Sequence, residues 1–149
     1  YSQKSRPFVQ DNHSVSARGV LRGLHYQINP HPQAKLVRSI VGEIFDVALD
    51  IRCSSSTFGQ WVGVILNDTN KQQLWIPEGF AHGFLVLSKK AEVLYKTTDF
   101  WSRDSERSIS WDDLKLAITW PDCNCEIQLS DKDRTALVLE NIAKEDLFS

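Results

Sequence analysis

The chain has 149 residues, a net charge of −2 at pH 7 and 42% hydrophobic residues. These values predict a single domain with a real core, spanning residues 1–149, and exclude a disordered chain. No basic block suggests a nucleic-acid partner, and no apolar run approaches the roughly 18 residues that a membrane span needs. The residues from Tyr1 onward do not form a signal peptide.

Alternation of apolar and polar residues dominates the chain and predicts β-strands. The first strand-like run ends in RGLHYQ, Arg22 to Gln27, which contains a cation and an imidazole. Turn signals separate the many short segments, which favours an antiparallel β-sandwich or barrel. The further strand-like segments are Lys35–Val41, residues 42–51, Gln60–Leu66, Gln72–Ile76, Gly83–Leu87, Glu92–Thr98 and Ser108–Trp111.

The C-terminal part departs from this pattern. Ser130 is placed to cap a helix, with Asp133 at the third helical position, and a short helix is predicted to continue through Leu137–Asn141.

The three cysteines are Cys53, Cys123 and Cys125. An odd count with one Cys-x-Cys pair is neither a disulfide framework nor a strong zinc signal. We interpret them as incidental free thiols in a reducing cytoplasm.

Polar residues occur at strand positions where a small barrel would normally hold apolar ones. If several face inward they line a polar pocket, because buried charge needs partners or a ligand. These residues are Arg22, His25, Lys35, Asp46, Asp50, His82, Tyr95 and Lys96.

His25 is either a rim or core histidine or a general base, and residue type alone leaves both open. Arg22 lies three positions earlier, which puts the two side chains on opposite faces of a regular strand. A bulge at Gly23 would bring both to one pocket, and we keep this as a hypothesis.

Metal binding is disfavoured by the histidine spacing. The run from Pro77 to His82 resembles the second motif of cupin-type barrels, but the His-x-His pair of their first motif has no counterpart. The four histidines, at 13, 25, 31 and 82, lack ligand spacing. Neither a Gly-x-Ser-x-Gly elbow nor a phosphate-cradling glycine loop occurs. We therefore expect no metal.

An ordered set of motifs resembles the dTDP-4-dehydrorhamnose 3,5-epimerase family. The resemblance covers about residues 8–134 and implies a cupin-like jelly-roll barrel, a homodimer, and no metal or organic cofactor. The motifs are QDNHS (10–14), GVLRGLHYQ (19–27), KLVRSIVGEIFDVALDIR (35–52), TFGQWVGVIL (57–66), QLWIPEGFAHGFLVLS (73–88), LYKTTDFW (94–101), ERSISWDD (106–113) and LSDKD (129–133).

The resemblance also implies a reaction. The family epimerises a 4-keto-6-deoxy sugar attached to dTDP, where the C4 ketone acidifies the hydrogens on C3 and C5. His25 would be the base and Asp133 would orient it, Tyr95 would be the opposing acid, and Lys35 would stabilise the enolate. Without the resemblance, Asp133 would be a helix-start residue, Tyr95 a packed sheet aromatic and Lys35 a solvated strand lysine.

Further positions match the family's substrate contacts. Arg22 and Lys132 would bind the diphosphate, and His82 would bind or polarise near the sugar. Phe100 would pack near the nucleotide, where many members have a tyrosine. The remaining matches are Gln10, Asp11, Asn12 and Glu106.

One departure concerns the N-terminus. The family has a longer segment before QDNHS, part of which reaches the partner subunit's nucleotide site, so the expectation is that this chain lacks it. The sequence does not determine which carbon is epimerised. Alternatives are a C3-only or C5-only epimerase, a ketoisomerase, a non-catalytic nucleotide-sugar-binding module and, disfavoured by the missing His-x-His, a metal-dependent cupin oxygenase.

Overall fold

The computed structural model describes residues 6–149. Within that range the chain is built mainly of short antiparallel strands, with little helix. The strands are β1 (Gln10–Ala17), β2 (Leu21–Gln27), β3 (Lys35–Val41), β4 (Glu43–Asp50), β5 (Trp61–Asn67), β6 (Leu74–Ile76), β7 (Phe80–Val86), β8 (Lys90–Thr97) and β9 (Glu106–Ser108). A single turn of helix, α1 (Asp131–Arg134), and two 3₁₀ turns, Leu139–Asn141 and Lys144–Asp146, follow them.

Two sheets pack face to face. One has the strand order β1-β8-β3-β6 and the other β5-β4-β7-β2-β9. Val37 and Val93 of the first sheet pack between the sheets against Ile44, Phe84 and Val86 of the second. This apolar layer closes one part of the sandwich and leaves the remaining interior to polar side chains.

The central strands β4 and β7 of the five-stranded sheet are buried on both faces. The outer face of this sheet carries Val47 and Leu49 of β4, and the C-terminal residues Ile142 and Phe148 pack against that layer. Double burial explains why β4 reads as a nearly continuous apolar run, since each buried Leu or Ile contributes roughly 1.5–3 kcal/mol. Among the described residues, no helix has the length and apolar character required to cross a membrane.

The predicted antiparallel sandwich is confirmed, and β3 has the predicted bounds. The strand predicted at Ser108–Trp111 lies earlier, at Glu106–Ser108, and β1 was not predicted as a strand. Alternation of apolar and polar residues did not reveal β1 because the inward side of this strand is polar. Its residues Gln10, Asn12 and Ser14 line cavities.

The prediction that the helix continues through Leu137–Asn141 was wrong. Ser130 does cap α1, accepting a hydrogen bond from the Asp133 backbone N–H, but the helix ends at Arg134. Leu137 instead forms a bridge with Ile109, and its carbonyl accepts from the Ser110 N–H at 2.8 Å. This pairing with a distant segment prevails over local helix propensity.

Candidate active site

A cavity of about 670 Å³ lies between the two sheets, away from the apolar layer. It adjoins a space of about 70 Å³ that Gln10 and Asn12 help to line. Most of the polar residues singled out in the sequence meet here. The predicted site residues that line the larger cavity are Arg22, His25, Lys35, His82, Tyr95, Glu106, Lys132 and Asp133.

A bulge in β2 brings Arg22 and His25 to the same cavity. Arg22 pairs with Phe84 and His25 with His82, so β2 advances three residues where β7 advances two. Gly23 in between has a φ of +121°, a conformation that side chains disfavour. A Cβ there would lie 2.5 Å from the Cα of Gly83. The bulge hypothesis is therefore confirmed.

His25 and Asp133 form a close pair on the wall made by the five-stranded sheet. The His25 Nε2 lies 2.5 Å from the Asp133 Oδ1, and Asp133 is buried. Burial lowers the pKa of His25, and the bond to Asp133 offsets this only in part. A carboxylate only accepts hydrogen bonds, so Nε2 carries the proton and Nδ1 is left to act as a base.

The start of α1 holds the Asp133 carboxylate in place. The Ser130 hydroxyl donates to Asp133 Oδ2 at 2.7 Å and accepts from the Asp133 N–H at 3.2 Å. Burial acts to raise the pKa of Asp133, but the hydrogen bonds from His25 and Ser130 outweigh it and leave the pKa below its usual value. Asp133 thus serves both the helix start and the imidazole.

Lys35 and Tyr95 lie on the opposite wall, in the four-stranded sheet. The Lys35 side chain is 7% exposed, and its Nζ donates to the backbone carbonyl of His25 across the cavity at 3.4 Å. Burial lowers the pKa of Lys35 to about 8, against the opposing effects of Glu106 and Asp46. Burial raises the pKa of Tyr95, so its phenol stays protonated at neutral pH.

A second histidine–carboxylate pair lies inside the barrel. The His82 Nε2 is 2.7 Å from the Asp46 Oδ1, and both residues are buried. The His82 ring lies 6.4 Å from that of Tyr95, between centroids. Asp46 therefore fixes the orientation of His82 beside the proposed acid. The sequence singled out Asp46 as polar but gave no sign of this partner.

The cationic residues of the cavity have neighbours that position them. Arg22 donates from Nε and Nη2 to the Ser16 hydroxyl of β1, at 3.3 and 3.0 Å. The Lys132 Nζ donates to Glu106 Oε1 at 2.9 Å. These contacts place two cations on the cavity wall, where they favour anionic groups.

Two predicted site residues lie away from the cavity. Asp11 is on the outer face of β1, where it pairs with Lys96 at 2.7 Å, because alternate residues of a strand face opposite sides. Phe100 is 62% exposed and does not line either space. Its neighbour Trp101 lines both spaces and was not among the predicted site residues. The family motif LYKTTDFW contains Trp101, and this was the sequence signal that could have identified it.

Within residues 6–149, no group of three or more His, Cys, Asp or Glu side chains is arranged to hold a metal ion.

Comparison with known proteins identifies the family. The family model for dTDP-4-dehydrorhamnose 3,5-epimerase matches residues 2–141. This chain belongs to the dTDP-4-dehydrorhamnose 3,5-epimerase family. A dTDP-4-dehydrorhamnose 3,5-epimerase of Shigella flexneri is 64% identical over 126 residues, covering 85% of this chain and 68% of that protein.

Solved structures of the epimerase family share the fold. A dTDP-6-deoxy-D-glucose-3,5-epimerase from Legionella pneumophila Philadelphia 1, in complex with dTDP-4-keto-L-rhamnose, superposes with a TM-score of 0.93 at 56% identity and covers 97% of this chain and 76% of that one. A 3'-monoepimerase from Streptomyces bikiniensis, in complex with dTDP-quinovose, has a TM-score of 0.84 at 36% identity, covering 90% of this chain and 67% of that one. The predicted cupin-like jelly-roll fold and epimerase family are confirmed.

Proposed function

We propose that this chain is a cofactor-independent isomerase that epimerises a dTDP-linked 4-keto-6-deoxyhexose at C3, C5 or both, in deoxysugar biosynthesis of the rhamnose type. The observation that carries this is the placement of base and acid on opposing sheets. His25, with Asp133, lies on the five-stranded sheet, and Tyr95 lies on the four-stranded sheet. A sugar between them meets a base on one face and an acid on the other.

The steps follow from these positions. The Nδ1 of His25 removes a proton next to the C4 ketone, and Asp133 stabilises the imidazolium that forms. The Lys35 ammonium offsets the negative charge that develops on the ketone oxygen. The Tyr95 phenol then returns a proton to the opposite face of the ring, which inverts the carbon.

Binding of the nucleotide part uses the cavity mouth. Arg22 and Lys132 bind the diphosphate, whose negative charges match the two cations. His82, oriented by Asp46, binds near the sugar, and Gln10, Asn12 and Glu106 contribute polar contacts. The indole of Trp101, 56% exposed, takes the stacking role that was expected of Phe100.

The reaction is tested by solvent exchange. In D₂O, with dTDP-4-keto-6-deoxyglucose, we expect deuterium at C3, C5 or both, followed by NMR. His25→Ala is expected to abolish exchange while dTDP binding, measured by calorimetry, survives. Tight dTDP binding without deuterium exchange, even at high concentrations of the intact protein, would contradict the proposal and favour a non-catalytic nucleotide-sugar-binding module.

A single-site epimerase is the second candidate, because the Streptomyces bikiniensis structure of similar fold is named a 3'-monoepimerase. The same NMR experiment distinguishes the two: deuterium at C3 and C5 supports the double epimerase, and deuterium at one carbon supports the single-site enzyme.

A homodimer and a cytoplasmic location complete the proposal. The outer face of the four-stranded sheet exposes apolar side chains, among them Val15 at 56% and Trp75 at 47%. Apolar groups on one sheet face are typical of a surface that another subunit covers. The free thiols Cys53, Cys123 and Cys125 fit a reducing compartment.

A further inference from the structure

Two cysteines outside the cavity face each other in a short loop after the strands. The Sγ atoms of Cys123 and Cys125 are 3.0 Å apart, and both are free thiols. Asn124 between them has a φ of +55°, and its backbone N–H donates to Asp122 Oδ1 at 2.7 Å. This tight turn directs both cysteine side chains to the same side of the loop.

The two thiols differ in accessibility. Cys123 is 4% exposed and packs with Leu21 and Leu85, whereas Cys125 is exposed. Cys125 also lies against the backbone of Gly19, where an added Cβ would be 2.6 Å from its Sγ. An exposed thiol that oxidants reach, beside a buried thiol that they do not, is the arrangement of an attacking and a resolving cysteine.

We propose that Cys123 and Cys125 form a reversible dithiol–disulfide site that reacts with small disulfide oxidants. A disulfide bond is about 2.05 Å long, so the sulfur atoms need to approach by only about 1 Å. The site is independent of the proposed epimerase reaction, since neither cysteine lines the cavity.

The reaction balances with glutathione disulfide as the oxidant. The Cys125 thiolate attacks one sulfur of glutathione disulfide, forming a mixed disulfide and releasing one glutathione thiolate. The Cys123 thiolate then attacks the Cys125 sulfur and releases the second glutathione. Two electrons pass to glutathione, and two protein thiols become one disulfide. The Cys123 thiol raises the pKa of Cys125, so the reaction accelerates as the pH rises.

The loop that carries Cys123 and Cys125 is anchored separately from His25 and Asp133. Gln128, which lies between this loop and Asp133 in the chain, donates its N–H to the Gly19 carbonyl at 2.8 Å, and its carbonyl accepts from the Leu21 N–H at 3.0 Å. These two bonds hold the chain before it reaches Ser130 and Asp133. Oxidation is therefore expected to change the solvent-exchange rate of the epimerase reaction by less than about twofold.

The test uses the reduced full chain in buffers of increasing glutathione disulfide content. Acid-quenched, denatured samples are assayed for free thiols and by mass spectrometry. We expect a disulfide between Cys123 and Cys125, seen as loss of two hydrogens with no glutathione on either residue, while the exposed Cys53 forms a mixed disulfide of its own. Cys53→Ser is the matched control and should fall from two thiols to none.

A variant that lacks the attacking cysteine tests whether the disulfide joins Cys123 to Cys125. Cys125→Ser, at an exposed position that leaves the packing intact, should form no intramolecular disulfide at any glutathione ratio. Reversal of the wild-type disulfide by reduced glutathione would support the proposal. The inference is overturned if Cys123 and Cys125 both remain thiols at the most oxidising ratio, or if Cys125 accumulates a stable glutathione adduct instead.

Discussion

The carboxylate of Asp133 orients the proposed base, His25, in addition to supplying a negative charge beside it. It accepts the hydrogen bond from His25 Nε2 at 2.5 Å and is itself held by the Ser130 hydroxyl. It thereby sets both the tautomer and the orientation of the imidazole ring. A group in that role affects the rate of proton abstraction more than it affects binding.

For Asp133→Asn we expect the rate of deuterium exchange to fall by about 10²–10⁴-fold, because an amide cannot stabilise the imidazolium. Affinity for dTDP, measured by calorimetry, should change little. Asp131→Asn is the matched control, since Asp131 is an exposed residue of the same helix turn. Equal losses in the two variants would contradict an orienting role for Asp133.

The pH profile of kcat/KM should be bell-shaped. His25 acts as a neutral base, so activity rises with pH through its pKa, which burial places below the usual value. Lys35 acts as a cation, so activity falls as the pH rises through about 8. Lys35→Arg should retain the acid limb and lose the basic limb, because a guanidinium stays protonated. A basic limb unchanged in Lys35→Arg would assign it to another group.

At this scale, residue types and a family resemblance predicted most of the residues that line the cavity and the pairing of His25 with Asp133, but not the pairing of Asp46 with His82. The pairing of Asp46 with His82 depends on the register of β4 against β7, in which Ala48 lies opposite His82. Register is a long-range property that the sequence of neither strand displays. Phe100 and Trp101 lie in the loop between β8 and β9, where no strand pattern predicts which of the two aromatic side chains faces the cavity.

Among the elements, β2 depends most on a single glycine. Gly23 creates the bulge that brings Arg22 and His25 to one cavity, and it packs against the backbone of Gly83. There is no room for a side chain at this contact, so both the strand pairing and the site depend on it.

Gly23→Ala should therefore destabilise the fold by at least about 3 kcal/mol, from strain at positive φ together with collision against backbone atoms. Urea unfolding measures this. Gly59→Ala is the control: its φ is +75°, but the nearest atom to an added Cβ is 3.9 Å away, so strain alone should cost about 1–2 kcal/mol. A Gly23→Ala protein as stable as Gly59→Ala would show that the bulge tolerates a side chain.

Period-two patterning found the strands whose inward side is apolar and missed β1, whose inward side serves the cavity. Helix capping was read correctly at Ser130, yet the predicted length was wrong. A cap marks where a helix begins, whereas the end of α1 is set by the bridge of Leu137 to Ile109. Local signals predict the starts of elements better than they predict limits set by tertiary pairing.

On the scale of the whole molecule, the two sheets differ in their surroundings. The C-terminal segment covers the five-stranded sheet, while the four-stranded sheet shows its outer face to solvent. Phe8, 41% exposed, packs edge-on against Trp75 on this side at 6.0 Å between centroids. We expect a second copy of the chain to cover this surface.

Val15→Lys should shift the proposed dimer toward monomer in sedimentation experiments, because a buried, unpaired ammonium opposes association. Val62→Lys is a closely matched control, since both valines are 56% exposed on edge strands but lie on different sheets. Unchanged circular dichroism would show that both variants fold. A dimer equally stable in both variants would place the interface elsewhere.

The hydrogen bond between His25 and Asp133 joins residues 108 positions apart in the chain. Closing so long a loop costs entropy, and contacts of this separation tend to form late in folding. During synthesis, β2 emerges long before α1, so the dyad is incomplete until nearly the whole chain is available. A partly folded chain that has paired its strands but not docked its C-terminal segment would have the pocket without its oriented base. Epimerase activity therefore indicates that folding is complete, and it should appear only after the sheets have formed.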